Sequence, residues 1–262
     1  MLDNYKKHVD ERAELNIPPL PLDADQTSEL ISLLKEKNND PDYLLNLLKE
    51  RVPAGVDQAA YVKAAFLADI TTGNASSPYI SKIDAVEILG TMLGGYNVEP
   101  LIRCLEIEEL AETASHVLGR TLLIFDAFNE IFELSKKNKY AKKVIEEWAD
   151  AKWFTEKEDI KEQIKLTVFK VSGEINTDDL SPAPDAWSRP DIPLHALAMF
   201  KMPRTGLDDP LGTIEKLKEK GNPLVFVGDV VGTGSSRKSA TNSVLWHMGD
   251  EIPHIPNKKE GG

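Results

Sequence analysis

The chain has 262 residues, a formal net charge of −12, and a composition of 41% hydrophobic and 28% charged residues. That is enough apolar material for one large or two ordinary globular domains, and the negative balance excludes a general binder of nucleic acid or anionic membranes. Cys104 is the one cysteine, so an internal disulfide is excluded, and a lone thiol cannot hold an iron–sulfur cluster; it is expected to act as a small buried hydrophobe. The start, Met1-Leu2-Asp3-Asn4-Tyr5-Lys6-Lys7, has no apolar leader segment. No apolar run approaches the ~20 residues that span a bilayer. A cytoplasmic protein without membrane contact is expected.

Residues 1–160 carry helical grammar. Asp40-Pro41-Asp42 precedes Leu44, Leu45, Leu47 and Leu48, and Asp57 opens a segment with Tyr61, Val62, Ala65, Phe66 and Ile70. Ser81 or Asp84 opens one with Ile88, Leu89 and Met92. Further segments carry Ala114, Val117 and Leu118, then Phe125, Phe128, Ile131 and Phe132, then Val144, Ile145, Trp148 and Trp153. Spacings of three and four put each set on one helix face. Pro53-Ala54-Gly55, Thr72-Gly73-Asn74, Gly94-Gly95 and Lys136-Lys137-Asn138 break the helices. Short helices in succession without strands suggest stacked pairs, a solenoid of the HEAT type, although no crisp repeat is visible. The lysines at 136, 137 and 139 read as a solvated turn, and Tyr96 and Tyr140 are candidate interface anchors.

Near residue 165 the grammar changes. Leu166-Thr167-Val168-Phe169-Lys170-Val171 alternates as a strand does, and Leu224-Val225-Phe226-Val227-Gly228 is a short apolar run of the buried-strand kind. Helical stretches at 212–220 and 235–248 surround the second run, so residues 161–262 are expected to form an α/β domain with a thin sheet. The polar, glycine-rich end at 256–262 reads as a loop, which suggests a domain cut short.

Two stretches carry candidate chemistry. In Gly228-Asp229-Val230-Val231-Gly232-Thr233-Gly234-Ser235-Ser236-Arg237-Lys238-Ser239-Ala240 a strand enters a glycine loop and the loop enters a helix. Glycines let backbone approach a ligand, and a helix N-terminus favours an anion. Ser235 and Ser236 are of capping type, and the Arg237 fork suits a carboxylate. A phosphate P-loop needs Gly-Lys-Ser/Thr, and a dinucleotide loop needs glycine where Arg237 stands. The nucleophile elbow Gly-x-Ser-x-Gly is also missing. A plain capped helix after a tight turn remains an equal reading. The second stretch, Gly173-Glu174-Ile175-Asn176-Thr177-Asp178-Asp179-Leu180-Ser181-Pro182-Ala183-Pro184-Asp185-Ala186-Trp187-Ser188-Arg189-Pro190, shows no period. It reads as a solvated loop, or as a loop that uses Trp187 and an Arg189 restricted by Pro190. His195, His247 and Asp229 read as packed or solvated groups.

The runs at 176–199 and 228–246, which contain most of these two stretches, resemble the swivel domain of the bacterial aconitate hydratase B family. The helical half resembles that family too, in Arg51-Val52-Pro53-Ala54-Gly55-Val56-Asp57 and Leu89-Gly90-Thr91-Met92-Leu93-Gly94-Gly95-Tyr96-Asn97. The resemblance covers essentially the whole chain and under half of the family's length. It implies a multidomain fold: an all-α HEAT-like solenoid over 1–160 and an α/β swivel domain of the aconitase superfamily over 161–262. It implies citrate–isocitrate isomerisation through cis-aconitate by dehydration and rehydration, or action on 2-methylisocitrate as well. A [4Fe–4S] cluster would serve as Lewis acid, with its cysteines outside this chain; Cys104 matches none of them, and no metal ligand is assigned here. Carried over by motif, Ser235 resembles the serine that takes the carbon-bound proton. Ser236 and Arg237 resemble its substrate-binding neighbours, and Arg189 a carboxylate-binding arginine. A helix N-terminus and arginines would supply the positive potential that a serine base requires. The partners implied are a tricarboxylate (citrate, cis-aconitate or isocitrate), a second copy bound through the helical half, and mRNA, for which the sequence shows no basic stripe. The rival readings are a stand-alone interaction module without catalysis, and a small subunit of the isopropylmalate dehydratase kind, against which the helical half argues.

Overall fold

The computed structural model describes residues 2–121, 127–157, 159 and 161–261; Phe125, expected to pack ahead of Phe128, lies outside them. The chain is mostly helical with a small parallel sheet. It divides into two compact units. One holds Pro21–Asp159 and His254–Pro256; the other holds Leu2–Leu20, Ile160–Pro253 and Asn257–Gly262. Among the described residues no helix is long and apolar enough to cross a membrane.

The first helix, α1 (Leu2–Ala13), belongs to the second unit. The first unit then runs through α2 (Ala24–Leu34), α3 (Pro41–Asn46), a π-helical turn (Leu47–Arg51), α4 (Gln58–Thr72), α5 (Lys82–Gly90), α6 (Val98–Cys104), α7 (Ala111–Arg120), α8 (Phe128–Ser135), α9 (Lys139–Ala149) and α10 (Lys152–Thr155). Each packs mainly on near neighbours: α2 on α4, α4 on α5, α5 on α7, and α7 and α8 on α9. Side chains close the helix starts. Asp23 and Gln26 form a reciprocal capping box at α2. At α5 the ambiguity between Ser81 and Asp84 resolves into another box: Ser81 caps and Asp84 answers from the third position. Asn138 caps α9, and its Nδ2 donates to the Leu105 carbonyl at 2.8 Å. Asn97, buried, donates to the carbonyls of Leu89 and Met92 at 2.9 and 3.1 Å, which closes the end of α5.

The inward face of α4 differs from the sequence expectation. Tyr61 and Ala65 are exposed, while Ala59, Ala60, Ala64, Leu67 and Ala68 are buried beside Phe66 and Ile70. Small side chains on two faces let α2 and α5 approach from different sides. Trp153, Phe128 and Phe132 are also more exposed than expected. Phe128 stacks on Phe132 and on Trp148, with ring centroids 6.1 Å apart in each pair. Tyr96 is half-buried, stands edge-on to Tyr61, and donates to the Val56 carbonyl at 3.1 Å. Tyr140 is half-buried as well, with Lys139 over its ring. Cys104 is fully buried, and burial pushes its thiol up.

The second unit contains β1 (Thr167–Asn176), the short α11 (Thr177–Leu180), a 3-10 turn (Ala183–Ser188), α12 (Ile192–Ala196), α13 (Pro210–Lys218), β2 (Leu224–Thr233) and α14 (Lys238–Met248). A two-residue pair, β3 (Asp250–Glu251) and β4 (Lys259–Glu260), follows, so the terminal stretch read as loop contains a strand. β1 and β2 pair in parallel from Thr167–Leu224 to Asn176–Thr233. Phe169, Val171 and Ile175 of β1 bury with Leu180, Met199, Phe200, Ile214 and Ala240. Between Val171 and Ile175, Gly173 occupies the position that alternation assigns to the core yet is exposed, because β1 bulges there with Gly173 at φ 84°. Asp229 on β2 clamps the bulge: it accepts from the Gly173 N–H at 2.7 Å and from Lys170 Nζ at 2.5 Å. Arg204 donates to the carbonyls of Ser172 and Glu174 on the other side of the bulge.

Lys63 is fully buried on α4, and among the described residues its Nζ has no hydrogen-bond partner. Desolvation pushes its pKa down to about 8, against an upward pull from Glu50. An unfolded lysine titrates at 10.5, so between pH 8 and 10.5 the unfolded chain holds a proton that the folded chain does not. Stability attributable to Lys63 therefore rises as pH climbs through that window, and the full penalty applies below it. Lys63→Met is expected to stabilise the protein at pH 7 by about 3 kcal/mol. Urea unfolding of both proteins from pH 7 to 10.5 tests this: the advantage of the methionine variant should shrink as pH rises, and an advantage independent of pH would refute the assignment.

Candidate functional site

Parallel pairing carries the ends of β1 and β2 to the same edge of the sheet, where open α/β sheets place ligands. The segment after β1 was expected to be one aperiodic loop from 173 to 190. Instead β1 continues to Asn176, α11 follows, and the 3-10 turn ends at Arg189. Elements of four to six residues are too short to show a period; caps define them. Asn176 accepts from the N–H groups of Asp178 and Asp179, and Asp179 returns a bond to the Asn176 N–H at 2.8 Å. Pro190 did not hold Arg189 in extended backbone. Arg189 sits at φ −55°, ψ −33° and closes the 3-10 turn by donating from its N–H to the Ala186 carbonyl at 3.2 Å.

The segment after β2 also departs from expectation. The strand runs through Gly232 to Thr233, and α14 begins at Lys238, not at Ser235. Ser235 and Ser236 therefore do not cap the helix; Arg237 holds the capping position and makes no side-chain cap bond. Both serines are exposed, and among the described residues neither hydroxyl has a hydrogen-bond partner. Gly234 adopts φ 94°, and a Cβ there would lie 3.1 Å from Thr177 Oγ1. The turn thus brings the two loops into close approach at a position that needs glycine. Thr177 is buried, and its hydroxyl is unpartnered among the described residues.

Charge is distributed unevenly around these loops. Arg237 grips Asp178 with both terminal nitrogens and donates from Nη1 to the Ser181 carbonyl at 2.9 Å. The Arg237 fork thus holds a carboxylate of the chain's own. This contact holds the Asp178 carboxyl below the usual range. Arg204 pairs with Asp179 at 3.3 Å. Arg189 is different. Its charge also lowers Asp178, which places it beside the pair, but among the described residues it has no ion-pair partner, and its Nε is buried without a hydrogen bond. A guanidinium near this pair with no ion-pair partner of its own among the described residues is a place for an anion. Trp187 stands 73% exposed next to it.

Sequence reasoning singled out Arg189, Ser235, Ser236 and Arg237; the structure brings these loops together and adds residues that were passed over. Asp178 and Asp179, which in sequence read as acids of a solvated loop, pair with Arg237 and Arg204. Ser181, Ser188 and Ser239 meet around His195, which is 2% exposed. His247 is buried and bonds the Ala196 carbonyl at 2.8 Å; burial pushes both histidines down. The adjacent acids Asp178-Asp179 and the distant arginines are the available signal in sequence, but they do not reveal which acid meets which base. Among the described residues no three His, Cys, Asp or Glu side chains gather as a metal site.

Comparison with known proteins gives consistent matches. Residues 4–154 match the family described as the aconitate B N-terminal domain, and residues 166–262 match the aconitate hydratase 2 N-terminus. The whole chain is 57% identical to aconitate hydratase B of Escherichia coli (strain K12), of which it covers 31%. It is 57% identical to the protein of the same name from Synechocystis sp. and 50% identical to that of Helicobacter pylori, covering 30% of each. The chain thus spans under a third of the length of these curated relatives.

Gly234→Ala is expected to destabilise the second unit by about 1–3 kcal/mol, because it adds the left-handed strain of an L-residue to the tight Thr177 contact. Gly232→Ala shares the positive φ but meets open space, so it should cost less. Chemical denaturation of the two variants separates strain from contact; equal losses would show that Thr177 makes no close approach.

Proposed function

Because the chain belongs to the aconitate hydratase B family, we propose that its second unit supplies the tricarboxylate-binding and proton-transfer loops of a citrate–isocitrate isomerase. The Arg189 guanidinium, which has no ion-pair partner among the described residues, carries this reading. It is the group that a substrate carboxylate would neutralise, and it offsets locally the overall charge of −12. Ser236 and Arg237 would hold a second carboxylate, with Asp178 yielding part of the Arg237 fork. Ser235 is the base: its alkoxide, stabilised by Arg237, Arg189 and the N–H groups at the start of α14, takes the carbon-bound proton and becomes a hydroxyl. In the reverse direction Ser235 returns that proton to carbon. The swivel description of this unit, and activity on 2-methylisocitrate, belong to the same proposal.

A [4Fe–4S] cluster would supply the Lewis acid for departure of the hydroxyl in a longer protein. The residues present here do not fit such a group, since the single thiol, Cys104, lies inside the helical unit and burial disfavours its thiolate. The steps assigned to this chain are therefore binding and proton transfer alone.

For the helical unit we propose a HEAT-like array that serves self-association in a cytoplasmic protein. Its neighbour-on-neighbour packing supports the array. The two motif loops meet in it: the Leu93 N–H donates to the Ala54 carbonyl at 2.7 Å, and Gly94 lies against Gly55. Around that meeting Val56, Leu93 and Tyr61 are 73%, 67% and 54% exposed, an apolar group of the sort that marks interfaces. The mRNA binding implied by resemblance finds no support in the charge.

In the full-length enzyme Ser235→Ala should lower kcat by ~10²–10⁴-fold with little change in KM. Arg189→Lys should instead raise KM, because lysine lacks the fork. Steady-state kinetics on citrate decides between the roles: an unchanged kcat removes Ser235 as base, and an unchanged KM removes Arg189 from the site. Leu93→Glu should weaken self-association in sedimentation; an unaltered association constant would move the interface elsewhere.

A further inference from the structure

His195, on α12, is buried at 2% exposure between the segments that carry the two arginines. Its polar contacts form a directed chain whose hydrogens can be assigned in order. Ser188 Oγ donates to the Asp185 carbonyl at 2.7 Å, so its own lone pair must accept from His195 Nδ1–H at 2.8 Å. The Asp185 carbonyl, 3.2 Å from Nδ1, favours the same proton position. Burial, helped by the nearby Arg189 charge, disfavours the imidazolium against a smaller opposing pull from Asp185. The neutral ring leaves Nε2 as an acceptor, 2.8 Å from Ser181 Oγ, which donates to it. Ser181 Oγ can then accept from Ser239 Oγ at 2.7 Å.

Each end of this chain touches an arginine segment. Ser188 precedes Arg189 in the 3-10 turn. The carbonyl of Ser181 accepts from Arg237 Nη1, and Ser239 lies in the first turn of α14, next to the loop of Ser235 and Ser236. One ring therefore ties the segment after β1, the 3-10 turn and the helix after β2. We infer that His195 is a positioning residue, a neutral Nδ1–H imidazole that sets Arg189 and Arg237 at a fixed separation for two carboxylates of one ligand. The ligand part of this inference rests on the function proposed above; the ring's role in joining the segments does not. His195 contacts no substrate and moves no proton in this role. It acts through Ser181, Ser188 and Ser239, whose hydroxyls would otherwise be free to rotate.

Two measurements on the full 262-residue chain test the inference. Nitrogen NMR of the imidazole at pH 7 should show a neutral Nδ1–H tautomer for His195. Amide exchange in His195→Leu should lose protection at 181–189 and 237–240 while β1 keeps its own. An Nε2–H tautomer, or full protection in the leucine variant, overturns the inference. The second measurement titrates citrate calorimetrically into wild type, His195→Leu and His195→Gln. Leucine should weaken citrate binding about tenfold or more, since small misplacements of positioned groups are costly. Glutamine, which keeps one donor and one acceptor, should recover most of it, a recovery that simple core packing would not produce. Equal affinity in wild type and the leucine variant overturns the positioning role and leaves the proposed function standing. Failure of wild type to bind citrate, with the expected tautomer and exchange pattern, overturns the proposed function and leaves the joining role of His195 supported.

Discussion

Parallel pairing of Thr167–Asn176 with Leu224–Thr233 brings two loops, distant in sequence, to one edge of a two-stranded sheet. Every contact of the candidate site depends on that register. Asn176 pairs with Thr233, so Thr177 and Gly234 emerge side by side, and the glycine has room only because it lacks a Cβ. A parallel pair requires a long crossover, and α11, the 3-10 turn, α12 and α13 occupy it. The crossover is thus where Asp178, Asp179, Ser181, Arg189, His195 and Arg204 reside. The bulge at Gly173 is held from both sides, by Asp229 and by Arg204. Ile175 keeps the core face of Phe169 and Val171 across it, just before the chain leaves the sheet.

Charge pairing then decides which arginine is available. The Arg204–Asp179 and Arg237–Asp178 pairs are partly exposed, so each contributes modestly to stability. Their larger consequence is geometric: they hold two guanidinium groups and two carboxylates in defined places, while Arg189 has no ion-pair partner among the described residues. A protein with an excess of negative charge can offer an anion site in this way, through local accounting of partners instead of net charge. α1 contributes to the same framework from far away in sequence. Arg12 binds Asp191 through both terminal nitrogens and donates from Nε to the Pro18 carbonyl at 2.8 Å. Asp191 in turn caps α12, the helix that carries His195.

The helical unit shows how much freedom a periodic pattern leaves. Spacings of three and four located most helices, and caps at Asp23, Ser81 and Asn138 mark three of their starts. Periodicity did not say which face of α4 points inward, because alanines on several faces make more than one approach possible. It also gave no reason to bury Lys63, a cost that a local pattern cannot express. The motif stretches at 51–57 and 89–97, separated by a whole helix and more, form one surface because Gly94 can lie against the Gly55 backbone.

By itself the sequence determined the change from helices to a strand–helix pattern, the two chemical loops, and the candidates Arg189, Ser235, Ser236 and Arg237. These depend on local propensity, glycine chemistry and residue type, which act over a few positions and are legible in a line of text. Tertiary structure decided the rest. It moved the start of α14 to Lys238 and removed the serines from the cap, because Gly232 and Gly234 extend β2 and its turn before helical geometry can begin. It divided the stretch after β1 into short capped elements. It grouped Leu2–Leu20 with the second unit, where Arg12 binds Asp191. It also chose Asp178 for Arg237 and Asp179 for Arg204. Those choices are pairings between residues many positions apart, and only the register of β1 on β2 sets the distances that select one partner over another.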